Sequence, residues 1–302
     1  MKCTLASETR IGARVSNQDR LGHWRTGSSL LMVVADGLGG HLRGELAAQI
    51  SVDYFGAAFQ RDARPTLANP QDFLQRAMAG AHVAILREAY KLALPDVPRT
   101  VIVACVVQDG HAYWAHIGDC RLYLVRDGRI VVQTRDHTVV QELLESGRIR
   151  EEAASTHPDR NRILQCLGGF QSPRPDPIVK ARLLRNDLIL LCSDGLWGPL
   201  TQRHLLHSLS TRPLAEALVE LAQLAEQRAG PQCDNVTVLA MNWGEEQAAP
   251  ADEPVTIPSY DVPTDGQDFT ATDLDFLRMS DEDIDKAIAE LKAALRKAPP
   301  SR

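Results

Sequence analysis

An α+β fold with sheets inside and helices outside is what this chain predicts, on three observations. Runs of strand character and runs of helix character succeed one another without the strict strand–helix–strand alternation of a parallel sheet. Asp109-Gly110 and Asp127-Gly128 separate short apolar runs, the mark of two-residue hairpins and therefore of antiparallel pairing. Finally, 302 residues with 44% hydrophobic and 24% charged side chains are ordinary for a soluble globular chain and sufficient for a large core.

In chain order, the segments Leu30–Ala35, Val101–Val107, Ala112–Ile117, Leu122–Val125, Ile130–Thr134, Leu188–Cys192 and Val236–Met241 are short and rich in Val, Ile, Leu and Tyr. They read as strands. Helical periodicity marks Glu45–Gln60, Pro70–Ala93, Val139–Glu145 and Leu214–Arg228, where Leu218, Leu221 and Leu224 recur on one face. Residues 1–244 thus form one domain. From 245 to 279 the composition changes to Pro250, Pro254, Pro258 and Pro263 among acidic and small residues, which predicts a flexible linker. Residues 280–297 predict a helix. Ser280 is its N-cap, Asp281, Glu282 and Asp283 meet the positive end of the dipole, and Ile284, Ile288, Leu291 and Leu295 form one apolar stripe. Such a stripe predicts docking on a groove, of this domain or of a partner.

Charge and composition exclude several classes. The formal charge is −6, but residues 245–302 carry 14 acidic against 6 basic side chains, and the remainder is slightly basic, with 27 against 25. No basic block suggests nucleic-acid binding. No apolar stretch approaches the roughly eighteen residues of a membrane span. The N-terminal residues lack the apolar region of a secretory signal. The six cysteines contain no Cys-x-x-Cys pair, so reduced thiols in a cytoplasmic compartment are expected.

Four acidic motifs carry the chemistry: Asn17-Gln18-Asp19, Asp36-Gly37, Ser193-Asp194-Gly195 and Asp234-Asn235. Apolar runs deliver Asp36 and Asp194 to strand ends, Asp234 precedes a strand, and Asp19 closes the segment from Arg14. Carboxylates in such places are costly unless a cation neutralises them. Converging, they would make a cage of hard oxygen ligands that suits Mg²⁺ or Mn²⁺ rather than zinc. Two such ions roughly 3.5–4 Å apart activate a bridging water for in-line displacement at phosphorus. Arg14 offers a permanently charged, bidentate fork for phosphate oxygens. Any one Asp-Gly alone is more often a turn than a ligand, and Asp109-Gly110 and Asp127-Gly128 are read as turns. The set is more specific than its members.

Six stretches together resemble a bacterial member of the metal-dependent protein phosphatase family, the phosphatase 2C class. They are 12–19 (Gly-Ala-Arg-Val-Ser-Asn-Gln-Asp), 34–41 (Val-Ala-Asp-Gly-Leu-Gly-Gly-His), 117–121 (Ile-Gly-Asp-Cys-Arg), 135–138 (Arg-Asp-His-Thr), 192–197 (Cys-Ser-Asp-Gly-Leu-Trp) and 234–238 (Asp-Asn-Val-Thr-Val). The likeness spans residues 5–242. It implies two packed, mainly antiparallel sheets with helices on both outer faces, a four-layer αββα arrangement. It also implies that Arg14 binds phosphate, that Asp36 bridges two ions, and that the Gly37 carbonyl helps hold one. Asp194 and Asp234 would hold the other, Asp19 would act through coordinated water, and Asn235 would sit beside the water network. Asp119 matches a position that helps bind a third, weaker ion. Residues 137–169 match a variable flap. The implied substrates are phosphorylated proteins, and the implied opponent is a bacterial Ser/Thr kinase.

Three departures from the family pattern stand out. Gln18 occupies a position where many members have Glu, so weaker metal binding is expected. Leu38 stands where animal members have a histidine proposed as general acid, and proton donation must come from elsewhere. His41 nearby reads as a surface loop residue. Gly198 replaces an acidic residue that often assists the third ion. A competing reading follows from these losses: a regulatory binding module of the same fold with degenerate catalysis. Arg14, Asp19, Asp36, Asp194 and Asp234, all retained, argue against it.

Overall fold

A computed structural model describes residues 1–38, 43–154, 156–169, 171–244, 255–256, 286–291 and 293–294. Two antiparallel sheets lie at its centre. One is built from β1 (Cys3–Arg10), β10 (Val236–Trp243), β9 (Leu188–Cys192), β6 (Arg121–Arg126) and β7 (Arg129–Gln133), in that spatial order. The other runs β11 (Val255–Thr256), β2 (Asp19–Arg25), β3 (Ser29–Gly37), β4 (Thr100–Gln108), β5 (His111–Ile117), β8 (Val179–Arg182).

Alternation along the strands builds the layers, because successive side chains face opposite sides of a sheet. On β3, Leu30, Met32 and Val34 face the second sheet, while Leu31, Val33 and Ala35 face the helices. On β4, Val101, Val103 and Cys105 join the inter-sheet core, and Ile102, Ala104 and Val106 join the outer one. Both strands are therefore buried on both faces, which is why they read as unbroken apolar runs. Helices α1 (Gly44–Asp62) and α2 (Pro70–Lys91) cover the six-stranded sheet, with Tyr54, Phe55, Phe59 and Met78 fully buried beneath them. On the opposite outer face α6 (Gln202–Thr211) and α7 (Leu214–Ala229) cover the five-stranded sheet through Leu205, Leu218 and Leu221. The expected four layers are present.

Three short helices are also present: α3 (Val139–Glu145), α4 (Glu151–Ala154) and α5 (Asp194–Trp197). Asp109-Gly110 and Asp127-Gly128 are two-residue turns with positive φ throughout (52° and 68°, 48° and 71°), the geometry whose twist matches that of the flanking strands.

Several elements were not legible in sequence. β1 is polar along much of its length and half-buried, β2 is broken by Arg20, Gly22 and His23, and β8 is a four-residue edge strand. Asp19 therefore opens β2 rather than closing the segment before it. Within the span read as a linker, Val255–Thr256 pair with His23 and Gly22 of β2. Of the predicted C-terminal helix, 286–291 and 293–294 are helical. Ile288 is only 2% exposed, and Ala287 and Leu291 pack against the cluster under α1 and α2. Ser280–Ile284 and Leu295–Lys297 lie outside the described residues, as does His41.

Leu191 is fully buried between the sheets, so Leu191→Ala should cost about 2–5 kcal/mol through lost contacts and the cavity left behind. A urea titration that moved the midpoint by less than about 1 kcal/mol equivalent would contradict this packing.

Candidate active site

The central strands of both sheets end at one edge, and their termini carry the acidic motifs. β2 and β3 pair so that Asp19 lies directly opposite Asp36. From the other sheet, β9 ends at Cys192 and is followed by Ser193-Asp194, while Asp234-Asn235 lead into β10. A buried hydrogen bond joins the two sheets here: Ser193 Oγ donates to Asp19 Oδ2 at 2.7 Å, across 174 residues of sequence. The hydroxyl in turn accepts from Thr237 N at 3.0 Å.

Two close approaches permit this convergence. A Cβ on Gly195 would lie 2.0 Å from the Asn235 carbonyl oxygen, and one on Gly12 would lie 2.2 Å from that of Asp234. Gly12 also has a φ of +62°, which other residues adopt at a cost. Asn235 fastens the same loop. Its Oδ1 accepts from Gln18 N at 2.8 Å, and its Nδ2 donates to Ile11 O and Ser16 O at 2.8 and 3.0 Å. The amide is fully engaged by backbone, so Asn235 holds the Arg14 loop in place.

The carboxyls perturb one another strongly. Burial pushes Asp19 up to about 7, with Asp194 and Asp234 adding repulsion. Asp194 rises to about 6, first through burial and then through Asp234, and it lies within hydrogen-bonding range of Asp36. Asp36 is held well above the usual carboxylate range by burial and then by Asp19, Asp194, Asp119 and Asp234. Asp119, in the turn after β5, is raised by burial, Asp194 and Asp136. The structure thus gathers Asp19, Asp36, Asp119, Asp194 and Asp234 at one place, with the Gly37 backbone beside Asp36. Arg14 stands at the rim, half-exposed, with Nη2 2.6 Å from Asp234 Oδ2. Arg14 pairs directly with one of these five carboxyls.

A divalent cation fits this set. Asp19 Oδ1 and Asp194 Oδ1 are buried without a hydrogen-bond partner, an expensive condition that a metal ion relieves. The donors are oxygens only, as Mg²⁺ and Mn²⁺ prefer.

The sequence placed Arg121, Asp136, Ser193 and Trp197 inside its motifs but gave them no task. Arg121 grips Asp136 through two bonds of 2.8 and 2.7 Å and lies 3.4 Å above the Trp197 ring. The Trp197 indole donates to the Asp119 carbonyl at 2.9 Å, which fixes the Asp119 turn against α5 and so against Asp194. Leu38 is half-buried against the inter-sheet core and brings no proton donor. Gly198 donates from its N–H to Asp194 O at 2.7 Å, and a Cβ there would sit 2.9 Å from that oxygen.

Two histidine groupings are not metal centres. His204 accepts from Thr201 N and closes a capping box on α6. His116, His137 and Asp176 bring possible ligand atoms within 4.8 Å of one another. However, His137 Nδ1 accepts from Gly118 N at 3.2 Å, which places the ring proton on Nε2, where a metal would need a lone pair.

Comparison with known proteins now identifies the class. The protein phosphatase 2C family profile matches residues 8–233. A putative protein phosphatase 2C-type of Streptococcus pyogenes is 32% identical over 250 residues, covering 82% of this chain and 99% of that protein. The serine/threonine protein phosphatase PstP of Mycobacterium tuberculosis is 34% identical over 229 residues; they cover 75% of this chain but 42% of PstP. Among solved structures, PstP/Ppp superimposes with a TM-score of 0.71 at 31% identity, covering 82% of this chain and 100% of the other. The PstP catalytic domain in complex with two manganese ions gives 0.68 at 31% identity, over 80% and 97%. The chain belongs to the protein phosphatase 2C family and is a metal-dependent phosphoprotein phosphatase. Among the described residues, no helix is long and apolar enough to cross a membrane.

The shifted carboxyls fix the sign of a pH effect. Groups titrating near 6 and 7 when folded, against about 3.8 when unfolded, bind more protons in the folded chain, so their repulsion lowers metal-free stability as pH rises through that window. Asp194→Asn removes one of these titrating groups. In EDTA at pH 7.5 its melting temperature should exceed the parent's, by about 2–4 °C per kcal/mol relieved, and the gap should close near pH 5. With saturating Mn²⁺ the order should reverse. An unchanged or lower melting temperature in EDTA would contradict the electrostatic picture.

Proposed function

We propose that this phosphatase hydrolyses phosphoserine and phosphothreonine in protein substrates, with two Mn²⁺ or Mg²⁺ ions held by Asp36, Gly37 O, Asp194 and Asp234. The convergence of these groups with Asp19, from four separated motifs, is the observation that carries the reading. Bound there, the ions supply an activated water and neutralise charge on the phosphoryl group. Asp36, opposite Asp19 and beside Asp194, would serve both ions. Asp19, held by Ser193, would contribute through coordinated water. Asp119 would support a third, weaker ion. Arg14 binds the phosphate oxygens at the rim, where its fork orients the group for in-line attack. With Leu38 at this position, the leaving alkoxide would take its proton from a metal-bound water or another group. A bacterial Ser/Thr kinase acting on the same proteins in the cytoplasm is the matching opponent.

Hydrolysis of a phosphothreonine peptide, measured with Mn²⁺ and with EDTA, tests this directly. Activity should require the metal. Arg14→Lys should reduce kcat/KM about 10–100-fold, the cost of losing a charge-assisted bidentate contact. A chelator-insensitive rate, or none in either condition, would instead favour the binding-module alternative.

The C-terminal helix is proposed to dock in cis. Ile288 and Ala289 line the same cleft as Gln75 and Ala79 of α2 and Ile178, and Ile288 is buried there. Ile288→Asp should then lower the stability of the full chain by about 2 kcal/mol or more in urea. An unmoved midpoint would mean that the helix serves a partner instead.

A further inference from the structure

Gln18 is fixed at three points. Its N–H donates to Asn235 Oδ1 at 2.8 Å, its carbonyl accepts from Gly37 N at 3.2 Å, and its side-chain Nε2 donates to Glu45 Oε2 at 3.1 Å. The first two contacts place it between a ligand-bearing turn and the loop that carries Arg14. The third reaches the first turn of α1. That turn is itself tied to the site, because a Cβ on Gly37 would lie 2.3 Å from the Gly44 carbonyl carbon. The backbone of Asp36-Gly37 is therefore packed directly against the start of α1.

Glu45 is half-buried and lies near the Arg20 guanidinium, to which it is the foremost charge partner. Arg20 does not neutralise it through a direct bond. Its Nε donates to Gln49 Oε1 at 2.8 Å, and one Nη donates to the Asn17 and Asp19 carbonyls, each at 2.8 Å. Glu45 Oε2 is thus left to accept from Gln18.

We propose that Glu45 is a positioning residue for the metal centre, supplying one shell further out the negative charge that Gln18 lacks. By engaging the Gln18 NH₂ group it leaves the amide oxygen as that side chain's acceptor for the water around a bound cation. It also polarises the amide in the sense that makes this oxygen a better acceptor. Groups that orient metal ligands in this way typically change metal affinity about 10–100-fold when removed. The proposal rests on the binuclear reading above.

The test is Mn²⁺ titration of the full chain by calorimetry, with melting temperatures in EDTA as a check on folding. Glu45→Ala should weaken Mn²⁺ binding about tenfold or more while leaving the EDTA melting temperature within a few degrees of the parent's. Glu45→Gln should weaken it less, because an amide oxygen still accepts from Gln18. The exchange Gln18→Glu with Glu45→Gln restores both the charge and the hydrogen bond, and should return affinity to near the parent's. Unaltered Mn²⁺ affinity in Glu45→Ala, or an exchange variant no tighter than Glu45→Gln alone, would overturn the assignment. Asp36→Asn is the control that separates the two readings. If the parent binds Mn²⁺ and Asp36→Asn does not, the metal centre stands whatever Glu45 does.

Discussion

Mutual repulsion among carboxyls gathered where two sheets meet is the constraint around which the rest is arranged. Separate peptides bearing these aspartates would never assemble, because each brings a desolvation cost and a like charge. They are held together by what lies behind them. β3, β4, β9 and β10 bury apolar side chains on both faces, so the strand ends have little freedom to splay. Even the neighbouring thiols register the field: burial first, then Asp36, Asp119, Asp19 and Asp194, push Cys120 well above its ordinary range. The fold stores unfavourable electrostatics at one edge, and a divalent cation releases it.

Sequence revealed the parts of this arrangement that depend on burial. Strands covered on both sides read as uninterrupted Val, Ile and Leu, and the acidic residues at their ends stood out against that background. Leu188–Cys192 and Val139–Glu145 were legible to the residue. Where burial is partial the signal disappears. β1 was missed because its pairing with β10 depends on backbone bonds, with Ser7, Glu8, Thr9 and Arg10 contributing no periodic pattern. β2 was missed because Arg20 is sequestered by backbone carbonyls, a solution no local pattern announces.

Within the site, residue identity showed which groups belonged together but not how they were supported. The support consists of long-range contacts: Ser193 to Asp19, Asn235 to the Arg14 loop, Trp197 to Asp119, Gln18 to Glu45. Each links residues 27 or more positions apart. The departures from the family pattern also gain a physical setting. Gly198 lets the single turn of α5 close onto Asp194, and Leu38 contributes apolar surface to the core rather than chemistry.

The Arg14–Asp234 pair has a thermodynamic corollary. The guanidinium serves as a counterion to Asp234, a carboxyl proposed above as a metal ligand. Occupancy by a divalent ion would satisfy Asp234 and return the arginine to the solvent side. Metal and phosphate would then bind cooperatively, and by reciprocity each would tighten the other equally. The side chain proposed to recognise the substrate would also report whether the catalyst is assembled.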